Sequence, residues 1–308
     1  MKKFLIIQFL INSLIKKILL INWMDYENLT HLDLSYKDLI SINGIGNLTN
    51  LTDLNLSNNQ IVFIQAIESL NKLTDLDLSY NQITSMEAIK KLKHLKRIFL
   101  SYNQIVFVEG LNYLTKISHI RLKNNQIISF PDIENLTNLD RLELSNNRII
   151  SIKSIDKLTC LNYLDLNNNQ IDSIEGVEHL INLSVLHLSN NQIASIKSIE
   201  NLTQLTTLYL SSNQIVSIQG IENLTNLKTL YLNNNRILSI IAIENLTKLN
   251  VLDLSNNQII SILGLEMLTE LKWLDLSNNQ IVHVQSLNYL TKLSYIRLSN
   301  NLIFSFGI

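Results

Sequence analysis

The 308-residue chain has one cysteine, one proline and seven glycines. A lone Cys160 cannot close an internal disulfide, which excludes a cross-linked mini-domain and argues for a reducing compartment. So few prolines and glycines exclude a fold made of many sharp hairpin turns. An excess of one charge is lacking too, since 25 Lys and Arg against 26 Asp and Glu leave a formal net charge of −1. Such a chain exerts no global attraction on nucleic acid or anionic lipid. The basic run KKLKHLKR at 90–97 reads as a solvated face, so no nucleic-acid partner is expected. No glycine-rich phosphate loop occurs, and the six histidines at 31, 94, 119, 179, 187 and 283 show no CxxC or HExxH spacing. Neither a metal nor a cofactor is therefore expected. The N-terminal run MKKFLIIQFLINSLIKKILLINW is apolar but split by Lys16 and Lys17, short of the ~20 uninterrupted residues of a stable membrane span. Three readings of residues 1–28 are open: an apolar helix capping the adjoining fold, a signal or membrane-surface anchor, or upstream sequence before a true start at Met24.

The chain has a repeat in abundance. Leu29, Leu51, Leu73, Leu95, Ile117, Leu139, Leu161, Leu183, Leu205, Leu227, Leu249, Leu271 and Leu293 mark position 1 of thirteen units of 22 residues. There is no insertion or deletion, and the last unit is cut short at Ile308. The pattern is L-x-x-L-x-L-x-x-N-x-I-x-x-I-x-x-I-x-x-L-x-x. Apolar positions 4 and 6 among polar neighbours read as a strand. Apolar positions 11, 14, 17 and 20 recur every three residues, which suits a 3₁₀ return segment. One unit cannot bury its seven apolar positions alone, whereas stacked units can. The expected fold is an α/β repeat solenoid over 29–308, with a parallel sheet on the concave side and short 3₁₀ or helical segments on the convex side.

Position 9 is Asn59, Asn81, Asn103, Asn125, Asn147, Asn169, Asn191, Asn213, Asn235, Asn257, Asn279 and Asn301, with Lys37 in the first unit. The chain turns here and leaves backbone groups unpaired. A carboxamide both donates and accepts, so a ladder of inward asparagines is expected to satisfy them.

These residues, LTDLNLSNNQIVFIQAIESLNKL and its relatives, resemble the leucine-rich repeat family in its short 22-residue class, which includes the type 1 protein phosphatase regulatory subunit and the internalins. The resemblance implies a curved solenoid that binds another protein on its concave face.

Positions 3, 5 and 7 face away from the core, and position 8 lies near the edge of that face. Units 2–3 place Asp53, Asp75 and Asp77 there. Units 4–6 place Arg97, Phe99, Tyr102, His119, Arg121, Lys123, Arg141 and Glu143. Units 7–10 place Tyr163, Asp165, His187, Tyr209 and Tyr231, and units 11–13 place Asp253, Trp273, Asp275, Tyr295 and Arg297. Exposed aromatics and arginines are the types enriched at binding hot spots. The expected contact set is centred on units 4–10: Arg97, Phe99, Tyr102, His119, Arg121, Arg141, Glu143, Tyr163, Asp165, His187, Tyr209 and Tyr231. The position-5 column Arg121, Glu143, Asp165, His187 could imitate an acid–base site, but an open wet surface does not shield one. It reads as a charge ladder containing an Arg121–Glu143 pair. Position 12, with Val62, Val106, Ile128, Ile150, Val216, Leu238, Ile260 and Val282, reads as packing between return segments.

The sequence thus predicts a non-enzymatic, cytoplasmic protein-binding scaffold of the phosphatase-regulator kind. The alternative is a secreted or surface-attached adhesion protein of the internalin kind. The last strand's edge is open to pairing with a second copy of the chain.

Overall fold

Three residues of each repeat, positions 3–5, form a strand, because only position 4 must enter the core while 3 and 5 stay outside. The computed structural model describes residues 28–130 and 133–304. The N-terminal segment readings concern residues outside that range, as do Pro131 and residues 305–308. The chain divides into two compact units between Arg148 and Ile149.

The first unit holds β1 (His31–Asp33), β2 (Asp53–Asn55), β3 (Asp75–Asp77), β4 (Arg97–Phe99), β5 (His119–Arg121) and β6 (Arg141–Glu143). Each pairs in parallel with the next at a constant offset of one repeat, so His31 faces Asp53 and Phe99 faces Arg121. The second unit holds β7 (Tyr163–Asp165), β8 (Val185–His187), β9 (Thr207–Tyr209), β10 (Thr229–Tyr231), β11 (Val251–Asp253), β12 (Trp273–Asp275) and β13 (Tyr295–Arg297). These too are parallel neighbours in sequence order.

The return segment follows the three-residue spacing. In the second repeat Ile67 N–H donates to Ile64 O, Leu70 N–H to Ile67 O and Leu73 N–H to Leu70 O, at 3.0–3.1 Å. Each i to i+3 bond turns an apolar side chain inward at positions 14, 17, 20 and 1. Leu51, Leu54, Leu56, Ile61, Ile64, Ile67 and Leu70 are at most 2% exposed, and the same positions are buried from Leu73 through Ile281, Phe130 apart. Not all return segments are helical. Gly176 and Gly220 hold a left-handed backbone, and a Cβ there would lie 3.0 Å from Lys153 Cα and 2.9 Å from Lys197 Cα respectively. Neighbouring repeats touch backbone to backbone at these two places.

The position-9 asparagines stitch each repeat to the one before. Asn103 Nδ2 donates to Leu78 O and Leu100 O at 3.0 Å, and its Oδ1 accepts from Ile83 N–H at 2.9 Å. Asn213 does the same with Leu188 O, Leu210 O and Ile193 N–H. The first asparagine of each Asn–Asn pair has a different cause. Position 8 is left-handed in every repeat, with φ between 54° and 59° at Tyr36, Asn58, Tyr80, Tyr102, Asn124, Asn146 and the residues equivalent to them through Asn300. Asparagine tolerates that region better than other residues with a Cβ.

Position 12 departs from the packing expected of it. Ile128 in the first unit, and Ile150, Val216, Leu238 and Ile260 in the second, are exposed, as are Phe63 and Phe107 beside position 12 in two earlier repeats. The chain there is extended: Phe107 bridges Ser129, and Ser195 bridges Ser217, in parallel. Positions 12 and 13 both face outward there, between positions 11 and 14, which enter the core.

Candidate binding surface

Every residue of the expected contact set lies on a sheet strand or at position 8 beyond it, so within each unit the strand register presents them. The two units use that register differently.

In the first unit the face is organised by charge. Arg97 Nε pairs with Asp75, and His119 takes a 2.9 Å hydrogen bond with the Ser118 hydroxyl while standing 3.9 Å from Asp140. Glu143, 4% exposed, is the centre of a basic cluster. Its Oε1 accepts from Arg121 Nε at 3.0 Å and from Arg141 Nε at 2.6 Å, and its Oε2 lies 2.9 Å from Lys123 Nζ. Burial pushes the Glu143 carboxyl upward, but hydrogen bonds from Arg141 and Lys123 and the charges of Lys123 and Arg121 outweigh it and hold it below the ordinary carboxylate value. The Arg121 guanidinium also covers the Phe99 ring at 4.7 Å. Tyr102 stacks on Tyr80 with centroids 4.2 Å apart and planes within 9°. Both tyrosines hold the left-handed turn that asparagine occupies in most other repeats. A groove of about 310 Å³ joins Tyr80, Phe99, Tyr102, Arg121, Lys123 and Glu143. A second, of about 480 Å³, has Asp53, Asp75 and Asp77 in its lining.

In the second unit the face is organised by rings. Tyr163 meets His187 edge-on at 5.5 Å, His187 stacks on Tyr209 at 4.4 Å, and Tyr209 meets Tyr231 edge-on at 4.9 Å. The row continues beyond the expected set, through Trp273 at 6.2 Å from Tyr231 to Tyr295 at 5.3 Å from Trp273. All six rings are half-buried, with one side on the sheet and one open. Asp165, 3% exposed, lies under the row and accepts from Asn167 N–H, with His187 Nδ1 at 3.9 Å. Of the acid–base column, Arg121 and Glu143 thus form an ion pair in the first unit, and Asp165 and His187 sit side by side in the second. Among the described residues no group of His, Cys, Asp and Glu is arranged to hold a metal ion.

Three partners of the candidate residues carry a signal that sequence reasoning leaves unused. Tyr80 is marked by a bulky residue at position 8, where asparagine prevails. Trp273 and Tyr295 are marked by aromatic position 3 in two consecutive repeats.

The family model described as "Leucine Rich repeats (2 copies)" matches residues 49–94, 71–113, 137–179, 181–224 and 225–266, and "Leucine Rich Repeat" matches 270–290. The chain belongs to the leucine-rich repeat family. Solved members of similar structure include an internalin of Listeria monocytogenes, 32% identical with a TM-score of 0.89, the match covering 96% of this chain and 88% of that one. A leucine-rich repeat protein of Leptospira interrogans is 28% identical with a TM-score of 0.62, over 91% and 86% of the two chains. The leucine-rich repeat ectodomain of a membrane receptor kinase from Arabidopsis thaliana, solved in complex with Casparian strip integrity factor 2, is 27% identical with a TM-score of 0.76. That match covers 89% of this chain and 36% of the receptor. No curated protein matches the chain. Repeats of this family generally serve as non-enzymatic scaffolds for protein–protein interaction.

Proposed function

We propose that this chain is a non-enzymatic scaffold that holds a partner protein against the open face of its sheet. The observation that carries the reading is the row of six half-buried rings from Tyr163 to Tyr295. Rings held by neighbouring rings lose little further freedom on binding, and aromatic side chains dominate interface energies. The Phe99–Arg121 stack and the Tyr80–Tyr102 pair supply a second set of anchors in the first unit. In this reading Arg97, Phe99, Tyr102, His119, Arg121, Arg141, Glu143, Tyr163, Asp165, His187, Tyr209 and Tyr231 touch or frame the partner. The test is capture of proteins by the wild-type chain and by a Phe99→Ala/Arg121→Ala/Tyr209→Ala variant shown to be folded by its melting curve. A protein held by the first and released by the second supports the reading, and equal capture refutes the placement.

Two settings suit such a scaffold. The cytoplasmic adaptor reading rests on the lone free Cys160, which is exposed. The likeness to a Listeria internalin favours the other reading, a secreted or surface-attached adhesion protein. Labelling of intact cells with a membrane-impermeant reagent separates them: a labelled chain supports the second and an unlabelled one the first. Among the described residues no helix is long and apolar enough to cross a membrane.

A further inference from the structure

Among the described residues, two aromatic arrangements on the sheet face share an arginine with a carboxylate, and a third sets rings beside carboxylates without one. In the first unit Arg121 covers the Phe99 ring at 4.7 Å and pairs with Glu143 at 3.0 Å. At the end of the second unit Arg297 lies 5.6 Å from the Tyr295 ring and 3.8 Å from Asp275. Each is a guanidinium shared between a ring and an acid, a combination in which both attractions act on one charge.

The third arrangement has the ring and the acid but not the cation. Tyr231 on β10 and Trp273 on β12 are separated by strand β11, yet their centroids are only 6.2 Å apart. Two strand spacings amount to roughly 9.6 Å, so the two rings lean toward each other over β11. Beside them lies Asp253 of β11. Both of its hydrogen bonds, from Ser255 N–H and Ser255 Oγ, fall on Oδ1, which leaves Oδ2 without a donor among the described residues. The residue that pairs with it on β12, where a cation would complete the pattern, is a second acid, Asp275, 5% exposed. Like charges in register repel. Burial pushes the Asp253 carboxyl above its ordinary value and the Asp275 charge adds to that shift, although the Ser255 hydrogen bonds and the more distant Arg297 charge oppose it. Across β7–β13, positions 3 and 5 carry three carboxylates, Asp165, Asp253 and Asp275, against the single fixed cation Arg297.

We propose that Tyr231, Trp273, Asp253 and Asp275 form a subsite for an arginine or lysine side chain of the partner protein. It rests on the protein-binding reading above and specifies the chemistry that the second unit reads. The incoming cation takes the place that Arg297 fills one repeat further on: its apolar stem lies along the two rings and its charge meets Asp253 Oδ2. Charge complementarity selects this occupant, because Arg297 is engaged with Asp275, and an acidic or purely apolar segment would leave Asp253 with no ion-pair partner of its own among the described residues.

The chain contains two tryptophans, Trp23 and Trp273, so Trp23→Phe leaves Trp273 in the subsite as the one tryptophan, excited selectively over the tyrosines at the red edge of the absorption band. The full-length Trp23→Phe protein is titrated with an octapeptide of alternating Arg and Gly, and with its alternating Glu and Gly counterpart. The expected result is a saturable change in Trp273 emission with the Arg peptide alone. Asp253→Asn should raise the half-saturation concentration at least about tenfold. Asp275→Arg, which supplies the cation from within, should abolish the response. Asp77→Asn, an acid on β3 of the first unit, should leave it unchanged. Melting by circular dichroism confirms that each variant is folded, and Asp275→Arg carries the test should Asp253→Asn not fold. An absent response, one untouched by Asp253→Asn, or one weakened equally by Asp77→Asn overturns the proposal. A partner lost by the Tyr209→Ala protein but retained by Asp253→Asn overturns this subsite while supporting the protein-binding reading.

Discussion

The two units share a scaffold and differ in what they place on it. Leu100 in the first and Leu210 in the second are equally buried, and Asn103 and Asn213 make the same set of hydrogen bonds. On the sheet face the likeness ends. The first unit gathers its cations onto acids, three on Glu143 and Arg97 on Asp75. The second aligns rings and sets the acids Asp253 and Asp275 opposite each other, with Arg297 on Asp275 and, among the described residues, no ion pair on Asp253. Packing dictates positions 1, 4, 6, 9, 11, 14, 17 and 20, whereas positions 3 and 5 are left for chemistry. The contrast therefore separates residues that build the fold from residues available to a partner.

The comparison breaks if its shared part is not shared, and the largest effects test that. Leu100→Ala and Leu210→Ala should each cost about 2–5 kcal/mol in urea unfolding, because each empties a fully buried position. A loss confined to one unit would show that the two cores are not equivalent. Asn103→Ala and Asn213→Ala should each cost about 1–3 kcal/mol, since each strands buried backbone groups on two repeats.

The next predictions sharpen the difference between the faces, with opposite signs. Glu143→Gln should destabilise the first unit by about 1–2 kcal/mol at neutral pH. The folded-state pKa of Glu143 is depressed, so its contribution is complete above the unfolded value of about 4.3 and fades as pH falls through the folded value. The deficit of the variant should vanish in acid. Asp253→Asn should instead raise Tm at pH 7, by about 1–2 °C. Its folded pKa is raised, so the advantage of the variant should be absent below about 3.9 and grow as pH rises through the folded value. Melting curves at acid and neutral pH check both signs. The smallest effects concern the left-handed turn. Tyr36→Asn in the first unit and Ser212→Asn in the second should each stabilise by about 0.5–1 kcal/mol, because both residues hold φ near 55°.

How much of this is legible in the sequence depends on how local the cause is. The strand, the 3₁₀ return and the parallel stacking follow from leucine and isoleucine spacing alone, because the repeat forces each unit to bury the same side chains. The open face of the sheet follows too, since period-two alternation fixes which way Phe99 and Tyr209 point. The Asn–Asn pair reads as one signal in the sequence, but it has two causes: Asn59 bonds to backbone, and Asn58 relieves a positive φ. Backbone handedness has no side-chain pattern of its own until the structure shows it. Position 12 reads as packing because it is apolar, and its exposure arises from an extended segment that only neighbouring repeats create. The grouping of Arg121, Lys123 and Arg141 around Glu143 depends on rotamers. Of these pairs, Arg121–Glu143 is the one that a 22-residue offset between facing strand residues makes evident.

The central claim is that binding resides in face side chains that the scaffold does not need. The most direct measurement is the amount of partner protein captured by Tyr209→Thr/Tyr231→Thr against wild type, at matched concentrations of folded chain. Threonine keeps the strand and removes two rings from the middle of the row. The account predicts a variant that melts as a folded repeat protein and has lost the partner. Full capture by that variant would contradict it.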